Sequence, residues 1–341
     1  MRNRTAYNKP KSLSNNGTYI YTLVMSLICW VIGYTFSVGY PVYGEVGDTP
    51  LWNVICNLLP GKIITYLAGM VLMVSGAFLI QRTNQEGMLI RGRTSLPFVL
   101  YILLLSTNPD FFPLKSTSVG MFCLVLAIYE LFTSYHDSND RVSPYSTALL
   151  IATGSLLWIH ILWFIPLVWY GMYCFRTLNL RTFLASVLGV ATIYWILLGW
   201  CVWQKDFSTF VIPFSTFVNF RLLSFTDVSI LDWLSIIFVA ILTIIAALKI
   251  FAQDSGDGIR TREFLGFLII FAGVSFGLFF IYEQSSEEFL GVACLPTSII
   301  LAHFFALTHA RIAYWMYHFM VITLVVLLFI RLWNSLSIAV V

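Results

Sequence analysis

Apolar residues fall in eleven runs separated by short polar or charged breaks, near 19–36, 63–81, 95–107, 117–134, 146–159, 160–175, 182–203, 229–250, 264–282, 288–307 and 312–333. A helix needs about 20 residues to cross a hydrocarbon core roughly 30 Å thick, and most of these runs approach that length. The pattern predicts an all-α, polytopic transmembrane helical bundle of about 11 membrane segments, some of them short and paired as hairpins. Residues 1–18 are expected to form a cytoplasmic N-terminal tail, 19–333 the transmembrane domain and 334–341 a short external tail.

Ser146 to Phe175 is the ambiguous stretch, because it carries no charge and is long for one helix yet short for two full spans. Charge arbitrates. If the chain turns near Trp158 to His160, fourteen of the nineteen Lys and Arg share one side, among them Arg82, Arg141, Arg176, Arg181, Lys249, Arg260 and Arg262. Lys62, Lys115, Lys205, Arg221 and Arg331 take the other side. A single span would give eleven against eight. The positive-inside rule selects the first arrangement, with the N-terminus in the cytoplasm and the C-terminus outside. The cytoplasmic side then carries a net charge of +7 and the outer side −4.

Composition agrees with a bilayer. The 341 residues are 59% hydrophobic and only 10% charged, where soluble domains carry roughly 25%. Mean hydropathy is +0.85. The basic N-terminus and the run Tyr19 to Phe36 resemble a signal peptide, with Ser37-Val38-Gly39 as a small-residue cleavage site. The run exceeds the roughly 7 to 15 residues of a signal core, so an uncleaved first helix is expected.

Candidate chemistry is sparse. Six cysteines without a CxxC read as small buried hydrophobes. The five histidines form no HExxH, so neither a metal site nor a cofactor is expected, and nothing resembles a nucleic-acid-binding patch. His303 and His318 come closest to mid-membrane and read as packing residues. The first external loop places Glu45 and Asp48 among Gly39, Pro41, Gly44, Gly47 and Pro50. Two carboxylates three residues apart suit a general base and a cation ligand, although a solvated turn meets the same description. Arg221, in an otherwise apolar stretch of the loop Lys205 to Ser229, suits a lipid-linked phosphate or a pairing with Asp227. Gly273 and Gly277 form a GxxxG that lets a neighbouring backbone approach closely.

The block from Gln81-Arg82-Thr83-Asn84, through Leu96-Pro97-Phe98-Val99-Leu100 and Phe111-Phe112-Pro113, to Ala152-Thr153-Gly154-Ser155-Leu156-Leu157-Trp158 and Arg181 resembles an uncharacterised family of polytopic inner-membrane proteins of Bacteroidota. That resemblance implies location and architecture, and no known activity. A weaker similarity of layout links the chain to membrane-embedded glycosyltransferases that use polyprenyl-phosphate sugars. It implies that Glu45 or Asp48 stands in the place of their catalytic acid. The spacing departs from those enzymes, whose two acids are adjacent or one apart. The expectation is an accessory or non-catalytic component of the bacterial inner membrane. Its expected partners are the lipid bilayer and either a lipid-linked glycan or other envelope proteins. A lipid-linked sugar transferase or polymerase and a transporter or flippase are the alternatives.

Overall fold

The computed structural model describes residues 16–36, 52, 55, 61–90, 94–137, 139–205, 207–218, 222–223, 230–252, 258–282, 285–308 and 311–339. Within them the chain is 87% helix and no strand is present. The helices are α1 (Asn16–Phe36), α2 (Lys62–Gly87), α3 (Leu96–Ser106), α4 (Ser116–Thr133), α5 (Val142–Ser155), α6 (Ile165–Cys174), α7 (Leu180–Gln204), α8 (Ser208–Val218), α9 (Ile230–Ala252), α10 (Ile259–Ile281), α11 (Ser286–Leu307) and α12 (Arg311–Ala339). Short 3-10 turns at Pro109–Phe111 and Ile159–Phe164 follow α3 and precede α6.

All eleven apolar runs are helical, but only eight helices are long and apolar enough to span: α1, α2, α4, α7, α9, α10, α11 and α12. The other three expected segments are shorter. The 11 residues of α3 cover about 16 Å at 1.5 Å per residue. The 14 residues of α5 cover about 21 Å. These eight spans make the chain a multi-pass membrane protein. Its outer surface agrees, since α7 presents Leu188, Trp195, Ile196 and Trp203 outward with nothing over them. Contiguous apolar exposure on that scale does not suit water.

Short contacts fix the direction of each helix. At one end the Tyr19 hydroxyl meets Thr94 Oγ1 at 3.0 Å, Gln81 Nε2 donates to the Thr94 carbonyl at 2.7 Å, and Lys249 Nζ donates to Thr308 Oγ1 at 2.6 Å. At the same end Thr261 Oγ1 donates to the Met88 carbonyl at 3.3 Å, and His136 N–H donates to the Phe175 carbonyl at 3.3 Å. The opposite end is tied by Leu114 N–H to the Thr65 carbonyl at 3.1 Å, Trp30 Nε1 to Ser106 Oγ at 3.1 Å and Tyr282 Oη to the Phe217 carbonyl at 2.7 Å. Ser95 N–H donates to Tyr19 Oη, and Trp30 donates to Ser106. The contacting residues are eleven apart on each helix, so α1 and α3 run parallel and in register.

The His136 to Phe175 bond settles the ambiguous stretch. The end of α6 returns to the end of α4, and the chain turns at 156–158. Residues 142–174 are therefore a hairpin with both feet at one end, and Arg82, Arg141, Arg176, Arg181, Lys249, Arg260 and Arg262 collect there. Asp140 secures one foot by accepting from Val142 N–H at 2.8 Å, Ser143 N–H at 3.2 Å and the Ser143 hydroxyl. Burial pushes the Asp140 pKa up, but these hydrogen bonds outweigh it and hold the carboxyl below its ordinary value.

At the centre lies α11, packed against α2, α3, α4, α9, α10 and α12 and buried over most of its length. Two features differ from the sequence reading. The loop expected from Lys205 to Ser229 contains α8, an 11-residue helix with Pro213 inside it. A proline in so short an apolar run reads as a breaker, yet α8 is held against α7 and the 3-10 turn at 159–164. The helix α12 continues to Ala339, so Arg331 is enclosed within it, donating to Ser235 Oγ at 3.2 Å and to the Thr107 carbonyl at 3.5 Å.

Candidate functional site

The residues that meet in a charged cleft come from three helix ends: the last turns of α2, the C-terminus of α4 and the first turn of α10. The motif Gln81-Arg82-Thr83-Asn84 supplies the α2 wall. One turn on, Glu86 accepts from Arg82 Nε at 2.8 Å, an i,i+4 pair. The Arg82 guanidinium also lies 5.3 Å from the centre of the Tyr129 ring on α4. The helix stops at Gly87, because Met88 turns into the left-handed region at φ 50° and sends its N–H back to the Asn84 carbonyl. A non-glycine residue there costs about 1–2 kcal/mol, and this turn brings the Met88 carbonyl to Thr261 on α10.

Arg260 and Glu263 stand on one face of α10 with Phe264. The Arg260 guanidinium carbon lies 5.1 Å from the Tyr135 ring centre and 5.3 Å from that of Phe264, within cation–π range. Glu263 Oε2 accepts from the Tyr135 hydroxyl at 2.7 Å. Burial first, then this bond to a carboxylate, pushes the Tyr135 pKa up to about 12, so it remains a donor across the physiological range. The partly open space between them is about 200 Å³, lined by Thr83, Glu86, Gly87, Tyr129, Phe132, Thr133 and Arg260.

Each carboxylate here has a partner: Glu86 has Arg82 and Glu263 has Tyr135. Arg260 differs, since its Nε is buried and makes no hydrogen bond among the described residues. Little in the amino-acid sequence signals this. Arg260 read as one of many basic residues, and the only local cues were Glu86 four residues after Arg82 and Glu263 three after Arg260.

The residues singled out from sequence lie elsewhere. Glu45, Asp48 and Arg221 fall outside the described residues. The helix ends that flank them, Phe36 and Lys62 around the first loop and Val218 before Arg221, are at the end opposite the cleft. There Leu223 N–H donates to the Phe280 carbonyl at 3.0 Å. No group of three His, Cys, Asp or Glu among the described residues is placed to hold a metal. Cys29 and Cys201 are buried thiols. His318 stacks on Tyr21, meets the tilted Tyr314 ring and shares a 3.0 Å bond with the Tyr314 carbonyl, a packing role. The GxxxG expectation is corrected: a Cβ at Gly273 or Gly277 would meet nothing within 4 Å, so among the described residues no backbone approaches there.

Residues 54–337 match the model of a family of unknown function, DUF6427, which takes in everything from α2 to almost the end of α12. The chain belongs to that family. No curated protein and no solved structure matches it. All the residues of the cleft lie within the DUF6427 match, as does Arg221, while Glu45 and Asp48 precede it.

Proposed function

We propose that this DUF6427 chain is an accessory, non-catalytic component of a bacterial inner membrane, of the Bacteroidota type that its central motifs resemble, with the basic end in the cytoplasm. The observation that carries this reading is the state of α11. The helix that would line a central pathway is sheathed by six others. Two buried hydroxyls in its middle are spent on its own backbone: Ser298 donates to the Leu295 carbonyl at 2.7 Å and Thr297 to that of Ala293. Such a core supports a packed scaffold better than a water-filled route. The collection of basic side chains at one end supports the orientation.

Reporter fusions after Arg141 and after Arg181 are expected to report cytoplasm and one after Lys205 the exterior. A fusion after Arg181 that reports the exterior overturns the orientation. The second reading, a lipid-linked sugar transferase working through Glu45 or Asp48 with Arg221 on the phosphate, draws support from the flanking helix ends, which lie at one end of the bundle. In a strain lacking the chain, Glu45→Gln, Asp48→Asn and Arg221→Gln are expected to complement as the wild type does. Loss of surface glycan at wild-type protein abundance in any of the three would replace the accessory reading with the transferase.

A further inference from the structure

The cleft between α2, α4 and α10 is lined by one permanent positive charge, Arg260, which makes no ion pair among the described residues. A guanidinium stays protonated at any physiological pH. At the edge of a hydrocarbon core it needs either water or a counter-ion. Glu86, which lines the same space, is paired with Arg82, and Glu263 accepts from Tyr135. The faces of Tyr135 and Phe264 orient the Arg260 side chain, its buried Nε makes no hydrogen bond among the described residues, and the side chain lines a space of about 200 Å³. That space holds several waters and so accepts a phosphate group. The hydroxyls of Thr83 and Thr133 give their hydrogens to the carbonyls of Leu79 and Glu130, both at 2.8 Å. Donors for an incoming anion therefore come from arginine.

We infer that this cleft is a binding site for the phosphate of an anionic phospholipid, with Arg260 as its principal ligand. The lipid origin follows from the surface leading to it. On one side of α2, Val71 and Phe78 are 67% and 63% exposed, and Arg82 and Glu86 continue that stripe. The helix thus passes from lipid-facing apolar side chains to charge within two turns. A headgroup at Arg260 leaves its acyl chains beside Phe78. Basic pockets between membrane helices bind anionic headgroups by the same physics. The inference goes beyond the accessory role and holds whichever end faces the cytoplasm.

The test is native mass spectrometry of the full chain in detergent, with phosphatidylglycerol, phosphatidylethanolamine or inorganic phosphate added in turn. The wild type is expected to retain one phosphatidylglycerol in preference to phosphatidylethanolamine. Arg260→Gln is expected to weaken that retention about tenfold or more, the scale of losing charge-assisted hydrogen bonds. Arg260→Lys, which keeps the charge and loses the planar fork, falls between them, and its folding by thermal unfolding guards against a collapsed Gln variant. Arg181→Gln removes one exposed charge from the same end and is expected to bind as the wild type does. Equal losses in Arg181→Gln and Arg260→Gln would reduce the effect to general electrostatics and overturn the site. Undiminished retention in Arg260→Gln would also overturn it. Arg260-dependent capture of inorganic phosphate that displaces the lipid would keep the anion site and overturn the lipid as its ligand.

Discussion

Substituting Gly189 by alanine is expected to lower the thermal stability of the detergent-solubilised protein, whereas the same change at Gly273 or Gly277 is expected to leave it unchanged or raise it. A Cβ at Gly189 would lie 2.5 Å from the Tyr145 carbonyl oxygen, 3.1 Å from Leu149 N and 3.1 Å from Ala148 Cβ. Two of those contacts are backbone and cannot rotate away, so α5 and α7 must separate. Overpacking of this kind costs about 1–3 kcal/mol and sometimes more. The consequence is large because α7 packs only against α5 and α8 among its principal neighbours. Its hydroxyl contacts to α5, Tyr145 to Thr192 at 3.3 Å and Ser155 to Tyr194 at 2.7 Å, span the same seam and would open with it. At Gly273 and Gly277 the added methyl meets nothing, and the helix gains up to about 1 kcal/mol from alanine's better propensity. Unfolding followed by tryptophan fluorescence separates the cases, and equal losses at all three positions would refute this account of α5–α7 packing.

That contrast shows which features of the sequence were legible. A GxxxG is conspicuous because its spacing is local, yet here it faces outward. The glycines that permit close approach include Gly189 and the pair Gly120 and Gly154, where a Cβ on Gly154 would come within 3.5 Å of the Gly120 backbone. They lie on helices distant in sequence, and nothing in their own neighbourhoods marks them. Apolar runs, by contrast, report helices directly, since both hydropathy and length are local properties. Charge added a longer-range constraint, because the alternation of sides links every loop, and it resolved the hairpin at Ser146 to Phe175. Spanning capacity was only partly legible: short, paired segments were expected, but α3 is as apolar as its neighbours and simply shorter, and α5 is both shorter and more polar. The cleft was invisible for a further reason. Arg82, Tyr129 and Arg260 each sit at an unremarkable helix end, and only the fold brings three such ends together.

Phe264→Ala is the second substitution with a large expected effect, and it ties the stability of the bundle to the cleft. Phe264 is fully buried, with its ring stacked on Phe132 at 4.3 Å and met edge-on by Phe175 at 4.8 Å and Tyr135 at 5.0 Å. It therefore joins the start of α10 to the ends of α4 and α6. Truncating a buried Phe costs about 3–5 kcal/mol, because the neighbours close only partly over the cavity, and the lost ring pairs are part of that loss. The same ring backs the Arg260 guanidinium at 5.3 Å. Phe264→Ala is accordingly expected to lower the unfolding temperature and to weaken phosphatidylglycerol retention together. Arg260→Gln removes the ligand and leaves the aromatic cluster in place, so it is expected to weaken retention with little change in unfolding temperature. Thermal unfolding of both variants, with and without the lipid, checks the distinction. Added lipid should raise the unfolding temperature of the wild type by mass action and have little effect on either variant. A wild-type unfolding temperature in Phe264→Ala would mean that the ring cluster does not hold these helix ends together, and the cleft would lose its physical basis with it.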